Sequence, residues 1–210
     1  MKHVLCFGDS NTYGANPNGG RWDIGERWTS VLGQLLGDDY RIIEEGCSAR
    51  TSVFSDDLEH SDVGELSLPI ALKSHRPLDL VILMLGTNDM KHRFNLLPID
   101  IAVGSARLVS MVKKFDYGPF KAPQILLVSP INIAEGIENS LDNSGFSADA
   151  VEISKSLAPL YKRFADSQGC MFLDASKYAK PSKIDLLHMD KDDHKALAQA
   201  MYDVLKENNF

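Results

Sequence analysis

Cysteine is scarce in this sequence, and the few cysteines form no disulfide or metal-binding pattern. The 210 residues include three cysteines, an odd number, and no CxxC pair. These features exclude a disulfide framework and the usual zinc ligand sets. A reducing compartment is the simplest explanation for such cysteine usage, so we expect a cytoplasmic protein.

Long hydrophobic runs and an excess of positive charge are also missing. No apolar stretch approaches the ~20 residues that span a bilayer, and Met1 is followed almost at once by a presumed strand, without room for a leader. The net charge of −7 opposes binding to nucleic-acid phosphates or to anionic membrane surfaces. We therefore expect a soluble protein with no nucleic-acid or membrane partner, acting on a small neutral or locally steered substrate.

Strand-like and helix-like segments alternate along the whole chain, without repeats, linkers or low-complexity tracts. Short apolar or β-branched runs predict strands at residues 4–7, 40–45, 78–85, 124–129 and 170–173. Apolar residues at helical spacing predict helices at residues 28–36, 65–75, 98–115, 153–164 and 191–205. This alternation predicts a single α/β domain over residues 1–210, with a doubly wound, mostly parallel five-stranded sheet flanked by helices.

Three of the predicted strands end in glycine and small polar residues. These ends are Gly8-Asp9-Ser10-Asn11, Gly46, and Gly86-Thr87-Asn88-Asp89. In a parallel sheet they lie along one edge, where such folds bind their ligands. Ser10 is therefore a candidate nucleophile beside the unpaired N–H groups of a helix start, which can stabilise an anion. Taken alone, the first of these stretches favours an ordinary turn in which Asp9, Ser10 and Asn11 supply turn and capping hydrogen bonds.

Asp185 and His188 stand near the end of the chain, just before the last predicted helix. Their spacing of three residues places both side chains on one side of a turn, where the carboxylate can hold the imidazole in one tautomer. An acyl-transfer site needs a nucleophile, a base, a group that orients the base, and oxyanion donors. Asp185 and His188 supply the base and its orienting group, because their segment can return to the edge that carries Ser10.

Four blocks of the sequence resemble the signature blocks of the SGNH (GDSL-type) hydrolases, in the same order. They are Gly8-Asp9-Ser10-Asn11, Gly46, Gly86-Thr87-Asn88-Asp89 and Asp185-Leu186-Leu187-His188. Residues 43–51 and 79–89 further resemble the bacterial arylesterase branch of that family. One block would be weak evidence, whereas four in order across most of the chain are specific.

The resemblance implies a serine esterase that hydrolyses small carboxylic esters, such as acetyl, aryl or short-chain acyl esters, through an acyl-enzyme. Ser10 would be the nucleophile, His188 the general base and then acid, and Asp185 the orienting carboxylate. The oxyanion hole would comprise the N–H groups of Ser10 and Gly46 with the side-chain amide of Asn88. The resemblance also implies a homo-oligomer that needs no metal and no other cofactor.

Candidate substrate-binding residues adjoin these blocks. Trp22 follows a glycine-rich loop, and Cys47 adjoins the expected oxyanion donor but lacks a neighbouring base that would make it a nucleophile. The other two candidates are Asn11 and Asp89, of which Asp89 is also expected to brace its loop. Loops 16–23 and 131–147 are expected to set the width of the pocket, and the longer loop suits a lid or an oligomer contact.

Leu186 departs from the family's pattern, because the last block commonly carries glycine at this position. A leucine there would be strained if the position needs a positive φ. The spacing between Asp185 and His188 is unchanged by this departure.

Two other functions fit the same sheet edge. An acyltransferase would pass the acyl group to an alcohol or a sugar, and a flavodoxin-like binding module would hold a small ligand without chemistry. The chain lacks GxGxxG and P-loop patterns, which counts against the binding module. It also lacks GxSxG, which counts against an α/β-hydrolase elbow.

Overall fold

Residues 1–141, 143 and 145–210, which the computed structural model describes, form a β-sheet with helices packed on both faces. Positions 142 and 144 of the predicted 131–147 loop lie outside the described residues. The strands are Lys2–Gly8 (β1), Tyr40–Gly46 (β2), Leu80–Met84 (β3), Gln124–Ser129 (β4) and Met171–Asp174 (β5). The helices are Ser10–Tyr13 (α1), Trp28–Leu36 (α2), Gly64–His75 (α3), Pro98–Lys114 (α4), Asp149–Gln168 (α5) and Lys191–Glu207 (α6).

The sheet has the order β2-β1-β3-β4-β5, and every neighbouring pair is parallel. The predicted doubly wound five-stranded sheet is therefore confirmed, and no pair among these strands is antiparallel. Gly8 of β1 is level with Gly46 of β2 and with Met84 of β3. The residues that follow these three strands share one edge, at the point where the strand order reverses and such folds form their ligand crevice.

Burial on both faces of the sheet explains the apolar runs. All five residues of β3 are buried, which is the pattern of a central parallel strand. In β1, Leu5 and Phe7 pack on the face covered by α3, α4 and α5, whereas Val4 and Cys6 pack on the face covered by α2 and α6. Because a one-residue slip would turn the side chains of β1 to the opposite faces, this packing fixes where the strand ends.

The helices agree with the sequence pattern in position more closely than in length. Helix α5 is longer than the predicted helix at 153–164 and continues past Pro159. Asp190 precedes α6 as its N-cap residue, but its side chain makes no capping hydrogen bond. None of the helices in the described part of the chain is long and apolar enough to cross a membrane.

Candidate active site

Ser10 is the first residue of α1 and follows directly from the turn at the end of β1. Asp9 begins the helix: its side-chain Oδ1 accepts the N–H of Asn11 at 2.9 Å, and its carbonyl accepts the N–H of Tyr13 at 2.8 Å. As the first helical residue, Ser10 has no partner for its own N–H within the helix, and no other described residue accepts that N–H. This N–H therefore remains available beside the serine hydroxyl.

The segment with Asp185 and His188 returns to the same edge and meets Ser10. His188 Nε2 lies 2.8 Å from Ser10 Oγ, and His188 Nδ1 lies 2.6 Å from Asp185 Oδ2. Asp185 Oδ1 accepts the N–H groups of Leu187 and His188 at 3.1 and 2.9 Å, which closes the turn. Carboxylate, imidazole and hydroxyl thus form one hydrogen-bonded chain, the geometry of a Ser-His-Asp triad.

The charge on Asp185 fixes the direction of these hydrogen bonds. Burial raises the pKa of its carboxyl, but the hydrogen bonds from the His188 ring and from the backbone outweigh burial and leave that pKa below its ordinary value. An ionised carboxylate only accepts, so Nδ1 of His188 carries the hydrogen. Nε2 is then the acceptor for the Ser10 hydroxyl, which is the arrangement a general base needs.

Asn88 lies in the 3₁₀ turn Asn88–Met90 that follows β3, and it borders the same cleft as Ser10. Its Nδ2 donates one hydrogen to the carbonyl of Arg50 at 3.1 Å. That bond fixes the amide and leaves its second N–H free to bind an anion. The structure thus brings Asn88 to the expected place.

Gly46, whose N–H was predicted to belong to the oxyanion hole, is not among the residues that line the cleft. It is the last residue of β2, and a Cβ there would collide with the backbone of Thr12 and Tyr13. The glycine is required because α1 crosses close above the strand. Ser48 and Ala49 line the cleft instead.

Ala49 has the left-handed φ of +63°, uncommon for a residue with a Cβ. Its N–H has no acceptor among the described residues. Ala49 also lies in the wall of the cleft. Its backbone N–H is therefore a better candidate than that of Gly46 for the oxyanion donor expected after β2.

The cleft around Ser10 has a volume of about 190 Å³. This is smaller than the roughly 300–1,000 Å³ of pockets that hold drug-sized ligands. Its lining combines small, apolar and charged side chains. The lining residues are Ser10, Ala15, Ser48, Ala49, Glu59, Asn88, Lys91, Asn143, Gly145, Phe146, Leu187 and His188.

A charged cluster of Asp56, Glu59, Lys91 and Arg93 borders this cleft. Lys91 Nζ lies 2.5 Å from Glu59 Oε2 and 3.7 Å from Asp56 Oδ2, and its side chain is 5% exposed. Arg93 Nη2 pairs with Asp56 Oδ2 at 2.8 Å and also contacts Glu59. Burial raises the pKa of both carboxyls, but their interactions outweigh it and lower those pKa values: Asp56 accepts from Arg93 and from the backbone N–H groups of Glu59 and Leu58, and Glu59 accepts from Lys91 and Arg93. The cluster therefore balances two anions with two cations.

Little in the sequence indicated this cluster. Residues 53–66 are acidic and rich in turn formers, but the partners of Glu59 and Asp56 lie 32 and 37 residues away. No short-range spacing links such residues, because the pairing depends on how two loops fold against each other. The acidity of residues 53–66 was the one available signal.

Asn11 and Trp22 were predicted to contact substrate, but neither side chain lines the cleft. Asn11 is buried, and its amide bonds the backbone of Leu187 and Met189. Trp22 Nε1 donates to the carbonyl of Met189 at 3.2 Å. Both side chains therefore form hydrogen bonds with the segment around His188 instead of lining the cleft.

Asp89 and Cys47, the other two predicted contacts, are also absent from the lining of the cleft. Asp89 is fully buried and accepts the N–H of Ser52 at 3.0 Å, so it braces a loop as the sequence suggested. Burial raises the pKa of Asp89 to about 6, although the hydrogen bonds from Ser52 oppose that rise. Cys47 continues the ladder of β2, donating its N–H to the carbonyl of Gly8 at 3.1 Å.

Leu186 has a φ of +66°, so the position does require the left-handed region where a leucine is strained. An L-residue in that conformation costs roughly 1–2 kcal/mol relative to its usual backbone. Two backbone hydrogen bonds hold it: its N–H donates to Ser182 O at 3.0 Å, and its carbonyl accepts the N–H of Ala134 at 3.1 Å. The turn between Asp185 and His188 is therefore kept in spite of the leucine.

Of the two loops expected to set the width of the pocket, the second one borders it. Asn143, Gly145 and Phe146 line the cleft, and Asn143 Nδ2 donates to the carbonyl of Asp185 at 2.8 Å. No residue of 16–23 lines the cleft, although the preceding Ala15 does. Within the described residues, no group of three His, Cys, Asp or Glu side chains has the arrangement of a metal site.

Comparisons with known proteins show which family and which solved structures this chain is similar to. The model of the GDSL-like lipase/acylhydrolase family matches residues 6–202. A carbohydrate acetylesterase structure from Sinorhizobium meliloti is 38% identical with a TM-score of 0.93, covering 99% of this chain and 100% of that one. The native M. smegmatis aryl esterase is 35% identical with a TM-score of 0.89, covering 99% of both chains.

A search of curated protein sequences gives no match. The family match spans most of the chain, and the two esterase structures align over nearly all of it, which confirms the resemblance read from the four sequence blocks. The chain belongs to the GDSL-like lipase/acylhydrolase family and is a carboxylic ester hydrolase.

Proposed function

We propose that the protein is a serine esterase that hydrolyses small carboxylic esters through an acyl-enzyme. Ser10 is the nucleophile, His188 the general base and acid, and Asp185 the residue that orients His188. The observation that carries the proposal is the continuous chain of contacts from Asp185 Oδ2 through the imidazole to Ser10 Oγ, at 2.6 and 2.8 Å. Both distances are within hydrogen-bond reach, as transfer of the hydroxyl hydrogen requires.

Attack on the ester is the first half of the reaction. Ser10 Oγ bonds to the carbonyl carbon while Nε2 of His188 takes the hydroxyl hydrogen, and the carbonyl oxygen becomes an oxyanion. The backbone N–H groups of Ser10 and Ala49 and the free N–H of Asn88 donate to that oxyanion. When the intermediate collapses, the C–O bond to the alcohol breaks, and Nε2 returns the hydrogen to the leaving alcohol.

Release of the acid repeats these steps with water in place of the serine. Nε2 of His188 takes a hydrogen from water as the water oxygen attacks the acyl carbon. Collapse of this second intermediate breaks the bond to Ser10 Oγ, which recovers a hydrogen from Nε2. Asp185 stays ionised throughout, because its role is to stabilise the imidazolium that forms in each half.

The size and charge of the cleft favour small neutral esters. A cleft of about 190 Å³ suits an acetyl or other short acyl group better than a long chain. The charges of Glu59 and Lys91, the two ionic residues in its wall, are paired with each other, so the cleft offers no unbalanced charge to an ionic substrate. The acetylesterase and the aryl esterase among the similar structures support acetyl and aryl esters as the first substrates to test.

Hydrolysis of p-nitrophenyl acetate tests the assignment of the nucleophile. We expect Ser10→Ala to lower kcat by roughly 10⁴- to 10⁶-fold, as for the nucleophile of other serine hydrolases. Ser48, a second serine in the wall of the cleft, provides the matched control. We expect Ser48→Ala to stay within about tenfold of the parent, because Ser48 contacts no general base. An active Ser10→Ala variant, or a Ser48→Ala variant with the larger loss, would contradict the proposal.

A further inference from the structure

Asn11 joins the helix of the nucleophile to the segment that carries His188. Its Oδ1 accepts the N–H of Met189 at 3.1 Å, and its Nδ2 donates to the carbonyl of Leu187 at 3.4 Å. Leu187 and Met189 are the neighbours of His188 on either side. One buried side-chain amide therefore bonds both residues that flank the imidazole.

The amide satisfies both partners in only one orientation. If Oδ1 and Nδ2 were exchanged, two donors would face each other at Met189 and two acceptors at Leu187. The backbone of Asn11 is fixed as well, because its N–H donates to Asp9 Oδ1 at 2.9 Å and its carbonyl accepts Trp28 Nε1 at 3.1 Å. Asn11 is thus a rigid point of attachment at the sheet edge.

Asp185 cannot provide this attachment. Its carboxylate bonds the ring and the N–H of His188 and the N–H of Leu187, all within its own turn. These bonds orient the imidazole relative to the turn, but they leave the distance between the turn and α1 undetermined. Ser10 contacts His188 directly. Within the described residues, the other hydrogen bonds between α1 and this segment are the two made by the side chain of Asn11.

We propose, on the basis of the proposed function, that Asn11 is a positioning residue that sets the distance between His188 Nε2 and Ser10 Oγ. The name of the GDSL-like family places leucine directly after the nucleophile, where this chain has asparagine. Leucine has a similar size but can neither donate nor accept a hydrogen bond. This chain therefore uses two hydrogen bonds where a leucine would offer packing alone.

The effect of removing these bonds follows from the geometry of proton transfer. Nε2 and Oγ are 2.8 Å apart, and a misplacement of about 1 Å at a reacting pair can cost about 100-fold in rate. For Asn11→Leu we therefore expect kcat to fall by about 10- to 100-fold. The KM should stay within about twofold, because Asn11 does not line the cleft and its loss removes no substrate contact.

The experiment measures kcat and KM for p-nitrophenyl acetate in Asn11→Leu, with urea unfolding to measure stability. Gln168→Leu is the matched control, because Gln168 is also a side-chain amide that bridges two groups, accepting from Ser110 Oγ and donating to Ala106 O between α4 and α5. Proton NMR supplies a second measurement. The downfield resonance of the hydrogen between His188 Nδ1 and Asp185 should persist in Asn11→Leu, because that bond lies within the turn.

A fall in kcat at unchanged KM, with the downfield resonance retained and Gln168→Leu as active as the parent, would support the positioning role. An unchanged kcat, a rise in KM alone, or equal kcat losses in Asn11→Leu and Gln168→Leu would overturn it. If the leucine variant does not fold, Asn11→Ala is judged by the same criteria. Failure of the proposed function is seen separately, as a parent that does not hydrolyse the ester or a Ser10→Ala variant as active as the parent.

Discussion

Two groups of residues border the cleft, and different interactions hold them. In the group around Ser10, with Asn88, Asp185 and His188, hydrogen bonds within a few residues shape the turns of Ser10 and His188, and these turns meet at the Ser10–His188 contact. The charged cluster of Asp56, Glu59, Lys91 and Arg93 is built from ion pairs between two loops. The first group is organised for a reaction and the second for holding a wall of the cleft in place. Substitutions in the two groups should therefore affect different measured quantities.

Among Asp185, Asp89 and Lys91, the largest effect is expected at Asp185, which belongs to the Ser10 group. In Asp185→Asn the side-chain oxygen can still accept the N–H groups of Leu187 and His188, so the turn is kept. The new NH₂ faces His188 Nδ1, which must then accept, and the ring hydrogen moves to Nε2. Nε2 can no longer take the hydrogen of Ser10, so we expect kcat to fall by about 10⁴-fold with little change in stability.

Asp174→Asn is the control for this change, because Asp174 also closes a local turn, accepting the N–H and the hydroxyl of Ser176, without a histidine. Its kcat should equal that of the parent. If Asp185→Asn kept kcat within tenfold of the parent, the orienting role of Asp185 would be wrong.

An intermediate effect is expected at Asp89, which links the two groups: it follows Asn88 in sequence and bonds Ser52 at the start of the acidic loop. Its folded-state pKa of about 6 exceeds the value of about 3.9 in an unfolded chain, so the folded protein holds this proton over a wider pH range. The free energy of unfolding should therefore fall as pH rises from about 4 to about 6, by about 3 kcal/mol from this group.

Urea unfolding of the parent and of Asp89→Asn between pH 4 and 7 isolates this contribution, because the other titrating groups are common to both proteins. The difference in free energy of unfolding should shift by about 3 kcal/mol in favour of the variant as pH rises through that window. Parallel pH profiles for the two proteins would show that Asp89 does not titrate in this way.

The smallest of these effects is expected in the charged cluster. Lys91→Met removes a buried cation, but Arg93 still pairs with Asp56 and Glu59. We expect a loss of about 2 kcal/mol in the free energy of unfolding, below the roughly 3–5 kcal/mol for a buried charge left without any partner. The kcat for p-nitrophenyl acetate should stay within about tenfold, the reverse of the result at Asp185.

Lys162→Met provides the comparison, because Lys162 forms an exposed pair with Asp166 on the surface of α5. Such pairs contribute about 0.3–0.5 kcal/mol. Equal stability losses at Lys91 and Lys162, or a kcat loss at Lys91 as large as that at Asp185, would remove the distinction between the two groups.

The sequence predicted most of the fold because burial leaves a clear pattern. The continuous apolar run of β3 and the helical spacing of α2 each reflect a buried face, and the structure has both elements where they were expected. Asp185 and His188 could be predicted to interact because they are only three residues apart. Ser10 and Asn88 could be predicted as site residues because each lies in a turn within a few residues of a strand end, where turn chemistry is visible in the sequence.

The rest depended on packing between segments that are distant in sequence. Gly46 matched the expected glycine, but its absent Cβ makes room for α1, and Ala49 faces the cleft in its place. Asn11 follows Ser10 directly in sequence, yet its amide bonds a segment 176 residues further along the chain. Neither placement follows from local spacing, because each is decided by which segment covers the strand ends.

Covalent labelling with a fluorophosphonate, followed by peptide mapping, tests most directly whether Ser10 is the nucleophile. We expect a single modification at Ser10 in the parent protein, no modification in Ser10→Ala, and parallel loss of p-nitrophenyl acetate hydrolysis as the label accumulates. A fully active protein that resists the label, or a label found on Ser48 with Ser10 unmodified, would contradict the central claim.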